Sequence, residues 1–328
     1  MGAGKMTVLV TGAAGYVGSI LVRLLLKSGY TVRGLDVLLF GGESLIGIFS
    51  DPNFAFIRGD IRDKETLAIA IEGVDAVLHL AAIVGEPACV KQPELAKETN
   101  WDAAKTLFDM SEGNSCVKSF VFASTCSNYG KMKDGRHVKE DSPLHPLSLY
   151  AELKVGFEKY LLESKTRHDF IPTALRFGTV HSLSPRMRFD LTVNEFVREL
   201  TLGKTLEVYG PQFWRPYIHI EDAARAYVHI LESDPDKVDH NVFNVGDTDQ
   251  NYQKKMLVDE MVKVMPNAQV KFYPKDEDPR DFKVDFSKIR NELGWKISKD
   301  VPTGIREMHS ALESGLISDP YSSKYREI

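Results

Sequence analysis

The stretch Val8-Leu-Val-Thr-Gly-Ala-Ala-Gly-Tyr-Val-Gly-Ser19 decides the fold, because its apolar pattern changes from that of a strand to that of a helix. Val8 to Val10 form a short, mostly β-branched apolar run, which is typical of a strand buried on both faces. From Gly15 onward the apolar residues recur at intervals of three and four, which predicts a helix. The sequence therefore predicts a strand, a glycine-rich turn and a helix as one unit.

The turn carries Gly12, Gly15 and Gly18 at intervals of three residues. Gly12 permits a tight turn, Gly15 lets the backbone approach a pyrophosphate, and Gly18 lets the helix pack close to the strand. The helix N-terminus offers N–H groups and the positive end of its dipole to phosphates. A plain strand-to-helix connection without a ligand is the alternative, since glycine-rich turns are common.

Asp36 supports the dinucleotide interpretation. It follows a second predicted strand, 31–35, about twenty residues after the glycines, where an acidic residue accepts hydrogen bonds from an adenosine ribose. A carboxylate there repels a 2′-phosphate, so NAD is favoured over NADP. A solvated aspartate at a strand end is the alternative interpretation.

Length and composition limit the function classes. The 328 residues suit one two-lobed unit or two coupled domains, and 43% hydrophobic with 27% charged residues is ordinary for a soluble globular protein. The net charge of −5 shows no basic excess, so nucleic acid is not an expected partner. We find no signal peptide and no apolar run long enough for a bilayer, so we expect a cytoplasmic protein without a membrane partner. The cysteines, Cys89, Cys116 and Cys126, lack the spacing of a disulfide framework or a zinc site, so no metal is expected.

Predicted strands and helices alternate up to Arg176, which favours a parallel sheet with right-handed crossovers. The fold class is α/β, a Rossmann-type doubly wound parallel sheet with a smaller mixed α/β substrate lobe. We expect an NAD-binding domain at 1–178, with 211–248 returning to it, and a second, smaller lobe at 179–210 and 249–328. Helices are predicted at 64–71, 94–110 and 147–166, and connecting structure at 266–279. His79 lies within an apolar predicted strand, so we expect a packed core histidine rather than a metal ligand.

Tyr150 and Lys154 lie one helical turn apart on the same face of a predicted helix. A neighbouring cation favours a phenolate and lowers the pKa of a phenol, which would let Tyr150 exchange a proton with a substrate hydroxyl. Thr125 follows the end of the preceding strand, where its hydroxyl can bond the same oxygen. The Tyr–Lys spacing is common by itself, and an exposed pair without a role is the alternative.

Taken together, the chain resembles the extended short-chain dehydrogenase/reductases, in the group of nucleotide-sugar epimerases and dehydratases. The resemblance covers nearly the whole chain and rests on residues 11–18, 59–61, 79–82, 124–130, 150–154 and 215–222. It implies hydride transfer from the C4 of a sugar to NAD, through a transient 4-keto sugar. It also implies a homodimer joined through the helices at 94–110 and 147–166.

The resemblance assigns roles residue by residue. It implies Thr125, Tyr150 and Lys154 as the catalytic residues. The residues that it places around NAD are Gly12, Ala14, Gly15, Tyr16, Val17, Asp36, Asp60, Ile61, Leu80, Ala81, Ala82, Asn100, Ala123, Tyr150, Lys154 and Phe177. Those that it places around the nucleotide sugar are Val84, Thr125, Ser127, Asn128, Thr179, Arg188, Asn194, Arg215 and Arg280. Arg215 and Arg280 match the family's diphosphate contacts, with surface ion pairing as the alternative.

Departures from the family patterns limit which of the family's reactions this chain is expected to catalyse. Dehydratases of the group carry Thr-Asp-Glu at the strand end, with the two carboxylates as acid and base, whereas this chain has Thr125-Cys126-Ser127. In the 3,5-epimerases a cysteine stands at the position of Ser127, one residue after Cys126. We therefore interpret Cys126 as an inert buried thiol rather than a catalytic base. Our first hypothesis is an NAD-dependent nucleotide-sugar 4-epimerase. The alternatives are a net C4 dehydrogenase or reductase of a nucleotide hexose or heptose, and a non-catalytic NAD-binding sensor.

Overall fold

The computed structural model of the chain describes residues 6–131, 135–278 and 281–327. Its strands are β1 (Thr7–Thr11), β2 (Thr31–Asp36), β3 (Phe54–Arg58), β4 (Ala76–His79), β5 (Ser119–Thr125), β6 (His137–Val138), β7 (Ile171–Phe177), β8 (Thr179–His181), β9 (Leu206–Tyr209), β10 (Trp214–His219), β11 (Asn241–Val245), β12 (Asn251–Gln253), β13 (Val270–Tyr273) and β14 (Lys283–Val284). Its α-helices are α1 (Gly18–Lys27), α2 (Lys64–Ile71), α3 (Glu86–Lys91), α4 (Pro93–Lys97), α5 (Ala104–Gly113), α6 (Leu149–Glu163), α7 (Thr192–Thr201), α8 (Ile220–Leu231), α9 (Pro235–Val238), α10 (Lys254–Val264), α11 (Ser287–Leu293) and α12 (Val301–Glu313).

The chain divides into two compact units. The first unit consists of Met1–Thr125, Ser148–Arg176 and Ala224–Phe243, and the second of Cys126–Leu147, Phe177–Ala223 and Asn244–Ile328. The segment that returns to the first unit is thus shorter than the predicted 211–248. The difference arises because β10 pairs with β8 and β12 in a separate sheet. The assignment of cofactor to one unit and substrate to the other stays a prediction.

The first unit is built on a seven-stranded sheet with the order β11-β7-β5-β4-β1-β2-β3. Strand β1 lies next to the central strand β4, and it pairs in parallel with β2 on one side and with β4 on the other. Strands β2 and β3, and β4 and β5, also pair in parallel. The chain order therefore reverses between β1 and β4, which is the switch point where open α/β sheets bind ligands at the carboxyl ends of their strands. The predicted α/β fold class with a mainly parallel sheet is confirmed.

A cluster of aromatic side chains fills one side of this sheet. His79 is 1% exposed, and its ring lies 6.0 Å from those of Phe120 and Phe122 and 6.1 Å from that of Phe157. Burial lowers the pKa of His79 to about 3, and the charge of Lys154 adds to this shift. His79 is therefore a neutral, packed core histidine, as its place in an apolar strand predicted.

Three small sheets organise the second unit: β12-β10-β8, β13-β9 and β14-β6. The expectation of connecting structure at 266–279 was wrong for Val270–Tyr273, which form β13. This strand pairs with β9 alone, and its two central residues are exposed, so it lacks the buried alternation by which a strand is recognised in a sequence. Among the described residues, no helix combines the length and the apolar character that a bilayer crossing requires.

Candidate active site

The three glycines of the loop between β1 and α1 have little or no room for a Cβ atom. Gly12 has a φ of +74°, and a Cβ atom on it would lie 2.9 Å from the Ala81 nitrogen. A Cβ atom on Gly15 would lie 3.1 Å from the Gly12 oxygen, and one on Gly18 only 2.0 Å from it. The loop is therefore a bare backbone cradle at the switch point of the sheet, which fits the pyrophosphate of a dinucleotide.

Thr11 joins the ends of the two strands at the switch point. Its Oγ1 accepts hydrogen bonds from the backbone N–H groups of Leu80 and Ala81, at 3.2 Å each. Its Oγ1 also lies 2.8 Å from Nδ1 of His79, so the hydroxyl and the imidazole share a hydrogen bond. Sequence reasoning missed this role of Thr11, although a hydroxyl at the end of an apolar strand was the available signal.

Asp36, at the end of β2, contacts the glycine loop. Its Oδ2 accepts from the N–H of Ala14 at 3.0 Å, and its Oδ1 accepts from the N–H of Leu38 at 2.8 Å. The hydroxyl of Ser44 donates to the Ala14 oxygen at 2.8 Å. Both sides of the Ala14 backbone are thus fixed, and the carboxylate is oriented by neutral backbone groups.

The other predicted cofactor residues of this unit lie in the glycine loop, on or after strands of the sheet or, for Asn100, in the π-helical segment Glu98–Ala103. Ile61 is 5% exposed and packs into the core. The Asp60 carboxylate accepts from Arg62, which lowers its pKa. Asn100 accepts from the N–H of Ile83 through Oδ1 and donates to the Ile83 carbonyl through Nδ2, at 2.8 Å each. Asn100 therefore holds the loop that contains Val84. The remaining members of this group lie in the glycine loop, after β4 or on β5: Tyr16, Val17, Leu80, Ala82 and Ala123.

The helix α6 presents Tyr150 and Lys154. Ser148 caps the helix by accepting the N–H of Ala151 at 3.3 Å. Lys154 is 3% exposed, and its Nζ donates to the Ala123 oxygen on β5 at 2.8 Å. The Nζ atom also lies 5.8 Å from the centroid of the Tyr150 ring. The structure thus brings Tyr150 and Lys154 to the strand that ends at Thr125, which is 9% exposed.

The ionisation of the predicted catalytic lysine is shifted towards neutrality. Burial lowers the pKa of Lys154 to about 7, and the neighbouring Cys89 opposes this shift. A buried tyrosine on α8, Tyr227, has its pKa raised well above the usual value, first by burial and then by the nearby Tyr150. With a pKa of about 7, Lys154 is only partly charged at neutral pH, and it is the charged form that favours a phenolate beside it.

In the second unit, the predicted substrate residues already have partners. Arg215 donates through Nη2 to Asp278 at 2.7 Å. Arg188 donates to Asp190 at 2.6 Å and also lies 3.2 Å from Glu327. The other predicted substrate residues in this unit are Ser127 and Asn128 in the turn after β5, Thr179 at the start of β8, and Asn194 on α7. Phe177, which was predicted to line NAD, lies at the end of β7. Both amide atoms of Asn194 bond backbone groups, the N–H of Ser182 and the carbonyl of Arg188. Arg280 lies outside the described residues.

Comparisons with known proteins agree with this geometry. The model of the NAD-dependent epimerase/dehydratase family matches residues 8–246. The chain is 32% identical to the low-salt glycan biosynthesis protein Agl12 of Haloferax volcanii, over 74% of this chain and 77% of that protein. It is 30% identical to a UDP-glucose 4-epimerase of Lactobacillus helveticus, over 89% of this chain and 92% of that one.

A solved structure shows the same architecture. The UDP-glucose 4-epimerase of Thermotoga maritima with UDP-glucose superposes with a TM-score of 0.84 at 26% identity, covering 95% of this chain and all of that one. The resemblance to nucleotide-sugar epimerases and dehydratases is thereby confirmed. This chain belongs to the NAD-dependent epimerase/dehydratase family, and its cofactor is NAD.

Proposed function

We propose that this protein is an NAD-dependent nucleotide-sugar 4-epimerase that acts through a transient 4-keto sugar. The observation that carries the proposal is the buried Lys154, which joins the helix of Tyr150 to the strand of Thr125. The same unit contains the bare glycine cradle at the switch point of the sheet. A proton-transfer group and a dinucleotide cradle in one unit are what this reaction requires.

In this proposal, the backbone of the glycine loop holds the pyrophosphate of NAD, and Asp36 accepts from the adenosine ribose. The bound NAD supplies a reversible hydride acceptor for the sugar C4. Lys154 bonds the nicotinamide ribose and places its charge beside Tyr150. These assignments use the residues that the sequence predicted.

The protein residues then carry the proton chemistry. Tyr150, as the phenolate, takes the proton from the sugar O4 and later returns it. The charge on Lys154 stabilises that phenolate. The Thr125 hydroxyl donates a hydrogen bond to the same sugar oxygen and so fixes its position.

The residues after Thr125 argue against dehydration. Loss of water across C5 and C6 needs an additional acid and base, for which this chain offers Cys126 and Ser127. Cys126 is 1% exposed and packs against Tyr129 and Phe286 in an apolar cluster. Structural cysteines buried among apolar side chains are chemically inert.

We propose that the substrate is a sugar linked to a nucleoside diphosphate. Arg215 carries the fixed fork of N–H donors that suits a diphosphate oxygen pair. A UDP-hexose is the first candidate, because relatives in two comparisons are named UDP-glucose 4-epimerases.

A homodimer through the α5 and α6 faces is part of the proposal. Trp101, in the π-helical segment just before α5, and Tyr160, on α6, are half-buried, with their rings 6.1 Å apart. Light scattering after size-exclusion chromatography tests it, and the mass of a single chain would contradict it.

The test is the interconversion of 4-epimers by the purified protein, across UDP-, GDP-, CDP- and dTDP-sugars. We expect retained NAD by mass spectrometry, no net NADH, and one epimer pair brought to equilibrium. Tyr150→Phe is expected to lower kcat by about 10²–10⁴-fold. The control is Tyr160→Phe on the same helix, whose hydroxyl bonds Asp109 and which should change kcat less than about twofold. Accumulation of NADH with a keto product would instead indicate a net C4 oxidoreductase, and an unaffected Y150F variant would exclude the proposed mechanism.

A further inference from the structure

A buried ionic cluster of Ser124, Glu158 and Arg176 lies in the first unit and has no role in the reaction proposed above. The three residues are 5%, 1% and 3% exposed. The Ser124 hydroxyl donates to Oε2 of Glu158 at 2.6 Å. Nε of Arg176 donates to both Glu158 oxygens, at 3.1 and 3.0 Å, and its Nη2 donates to Oε1. One carboxylate therefore receives side-chain hydrogen bonds from two strands of the sheet.

Two members of the cluster are next to proposed catalytic residues along the chain. Ser124 directly precedes Thr125 on β5. Glu158 lies four residues after Lys154 on α6, which places it one turn further along the same helix face. The third member, Arg176, lies on β7, which is the neighbour of β5 in the sheet.

Stability alone is a weak reason for such a cluster. The cost of removing two charges from water offsets most of their attraction, so an apolar pair of similar volume often serves a fold equally well. What the ion pair adds is geometry, because a guanidinium that engages both oxygens of a carboxylate fixes its direction as well as its distance. Glu158 thereby fixes the rotation of α6 against β5 and β7.

We propose, on the basis of the function proposed above, that Glu158 is a positioning residue which holds α6 so that Tyr150 and Lys154 stand correctly relative to Thr125. Ser124 transmits this constraint to the strand end, and Arg176 anchors it to β7. Enzymes are sensitive to this kind of constraint, since a shift of about 1 Å in a reacting group can cost about a hundredfold in rate.

The decisive variant is the double substitution Glu158→Leu with Arg176→Met, which removes both charges and keeps the volume. We expect a melting temperature near that of the wild type, because no unpaired charge remains buried. We expect kcat to fall by more than about tenfold, with KM changed by less than about threefold. A stable double variant with the kcat of the wild type would overturn the proposal. The control is Glu163→Gln, an exposed carboxylate on the same helix, which should leave both constants unchanged.

If the double variant does not fold, Ser124→Ala decides the question. It removes one hydrogen bond and leaves the Glu158–Arg176 ion pair in place. We expect kcat to fall by about three- to tenfold, with the melting temperature lowered by only a few degrees because one buried hydrogen bond is lost. Partial recovery of kcat is expected in Ser124→Thr, which restores a hydroxyl. Equal kcat values for the alanine variant and the wild type would overturn the proposal.

A structural measurement separates this inference from the proposed reaction. In a crystal structure of Ser124→Ala/Glu158→Gln, we expect Lys154 Nζ to have moved from its position 2.8 Å from the Ala123 oxygen. An unmoved lysine overturns the positioning role whether or not the wild type epimerises sugars. A wild type that fails to epimerise any sugar, with a displaced lysine in the variant, refutes the reaction and keeps the positioning role.

Discussion

In the first unit, Lys154 donates to the Ala123 carbonyl, and Asp36 accepts from two backbone N–H groups. In the second unit, by contrast, the Arg215 guanidinium is paired with the Asp278 carboxylate. The backbone partners of the first unit orient a charged group without neutralising it. The Asp278 carboxylate in the second unit orients the Arg215 guanidinium and also neutralises its charge. If Arg215 binds the substrate diphosphate as proposed, that diphosphate shares the arginine with the negative charge of Asp278, whereas the proposed ligands of Lys154 and Asp36 meet groups that backbone partners hold.

This difference separates the expected effects of substitution. Changes around the glycine loop and Lys154 should alter whether the cofactor is held and whether the chemistry proceeds. Changes around Arg215 and Asp278 should alter the affinity for the anionic substrate and leave the chemistry unchanged.

The largest expected effect is on the free energy of unfolding at low pH. It tests whether the stability of each unit depends on a buried histidine that stays neutral. Burial is the main cause that lowers the pKa of His79 in the first unit, and of His181 in the second, to about 3 from the usual 6.5. Unfolded chains bind these protons near pH 6.5 but the native chain does not. Each neutral histidine therefore makes its full contribution to the free energy of unfolding above pH 6.5. That contribution decreases by about 1.4 kcal/mol per pH unit for each histidine as the pH falls towards 3.

Urea unfolding between pH 4 and pH 7 measures this loss. The variants His79→Asn and His181→Asn should each reduce the slope of the unfolding free energy against pH by the amount that about one bound proton contributes. His168→Asn, at an exposed histidine, should leave the slope unchanged. Equal slopes for all three variants and the wild type would show that neither buried imidazole causes the loss of stability at low pH.

The second largest effect is expected from Gly18→Ala. The added Cβ would lie 2.0 Å from the Gly12 oxygen, a backbone atom that cannot move without opening the loop. We expect the affinity for NAD to fall by more than about a hundredfold, measured as bound NAD after desalting. Gly113→Ala, on α5, is the matched control and should retain NAD, because a Cβ atom added there would have no atom within 4 Å. Equal NAD retention by both variants would mean that the loop does not cradle the pyrophosphate.

The glycine loop also illustrates how much of the fold could be predicted. The core strands were recognised because both of their faces are buried, as in Val8, Leu9 and Val10, each 0% exposed. The helix α2 has the predicted bounds 64–71 because its start carries a local signal, the cap of Asp63 on the N–H groups of Glu65 and Thr66. Such information lies within a few residues of each element.

What the sequence did not reveal depends on distant contacts. The predicted helix at 94–110 is interrupted by π-helical turns at Glu98–Ala103, where Asn100 reaches back to Ile83. The partner of Arg215 lies 63 residues away, and no local pattern signals such a pair. The types of residue at the site could thus be predicted, whereas their partners required the fold.

A moderate effect is expected from Arg215→Met. If Arg215 binds the substrate diphosphate, its loss removes charge-assisted hydrogen bonds worth about 1.5–3 kcal/mol. We expect KM to rise by about 10- to 100-fold with kcat nearly unchanged, in steady-state kinetics with the sugar found by the panel. Arg290→Met, which breaks a half-exposed pair with Asp247 in the same unit, is the control and should not change KM. A fall in kcat at constant KM would place Arg215 in the chemistry and remove the contrast between the units.

The smallest expected effect is from Asp278→Asn, and its sign tests the contrast most directly. The amide keeps the shape and a hydrogen bond to Arg215 but removes the negative charge that a diphosphate must approach. We expect KM to fall by about two- to fivefold, because the change removes a negative charge near the diphosphate while the amide keeps a hydrogen bond to Arg215. Asp276→Asn, the same change at an exposed position two residues away, should have no effect at moderate salt. A rise in KM for D278N alone would mean that the carboxylate serves to aim the guanidinium, and the second unit would then be as preorganised for its ligand as the first.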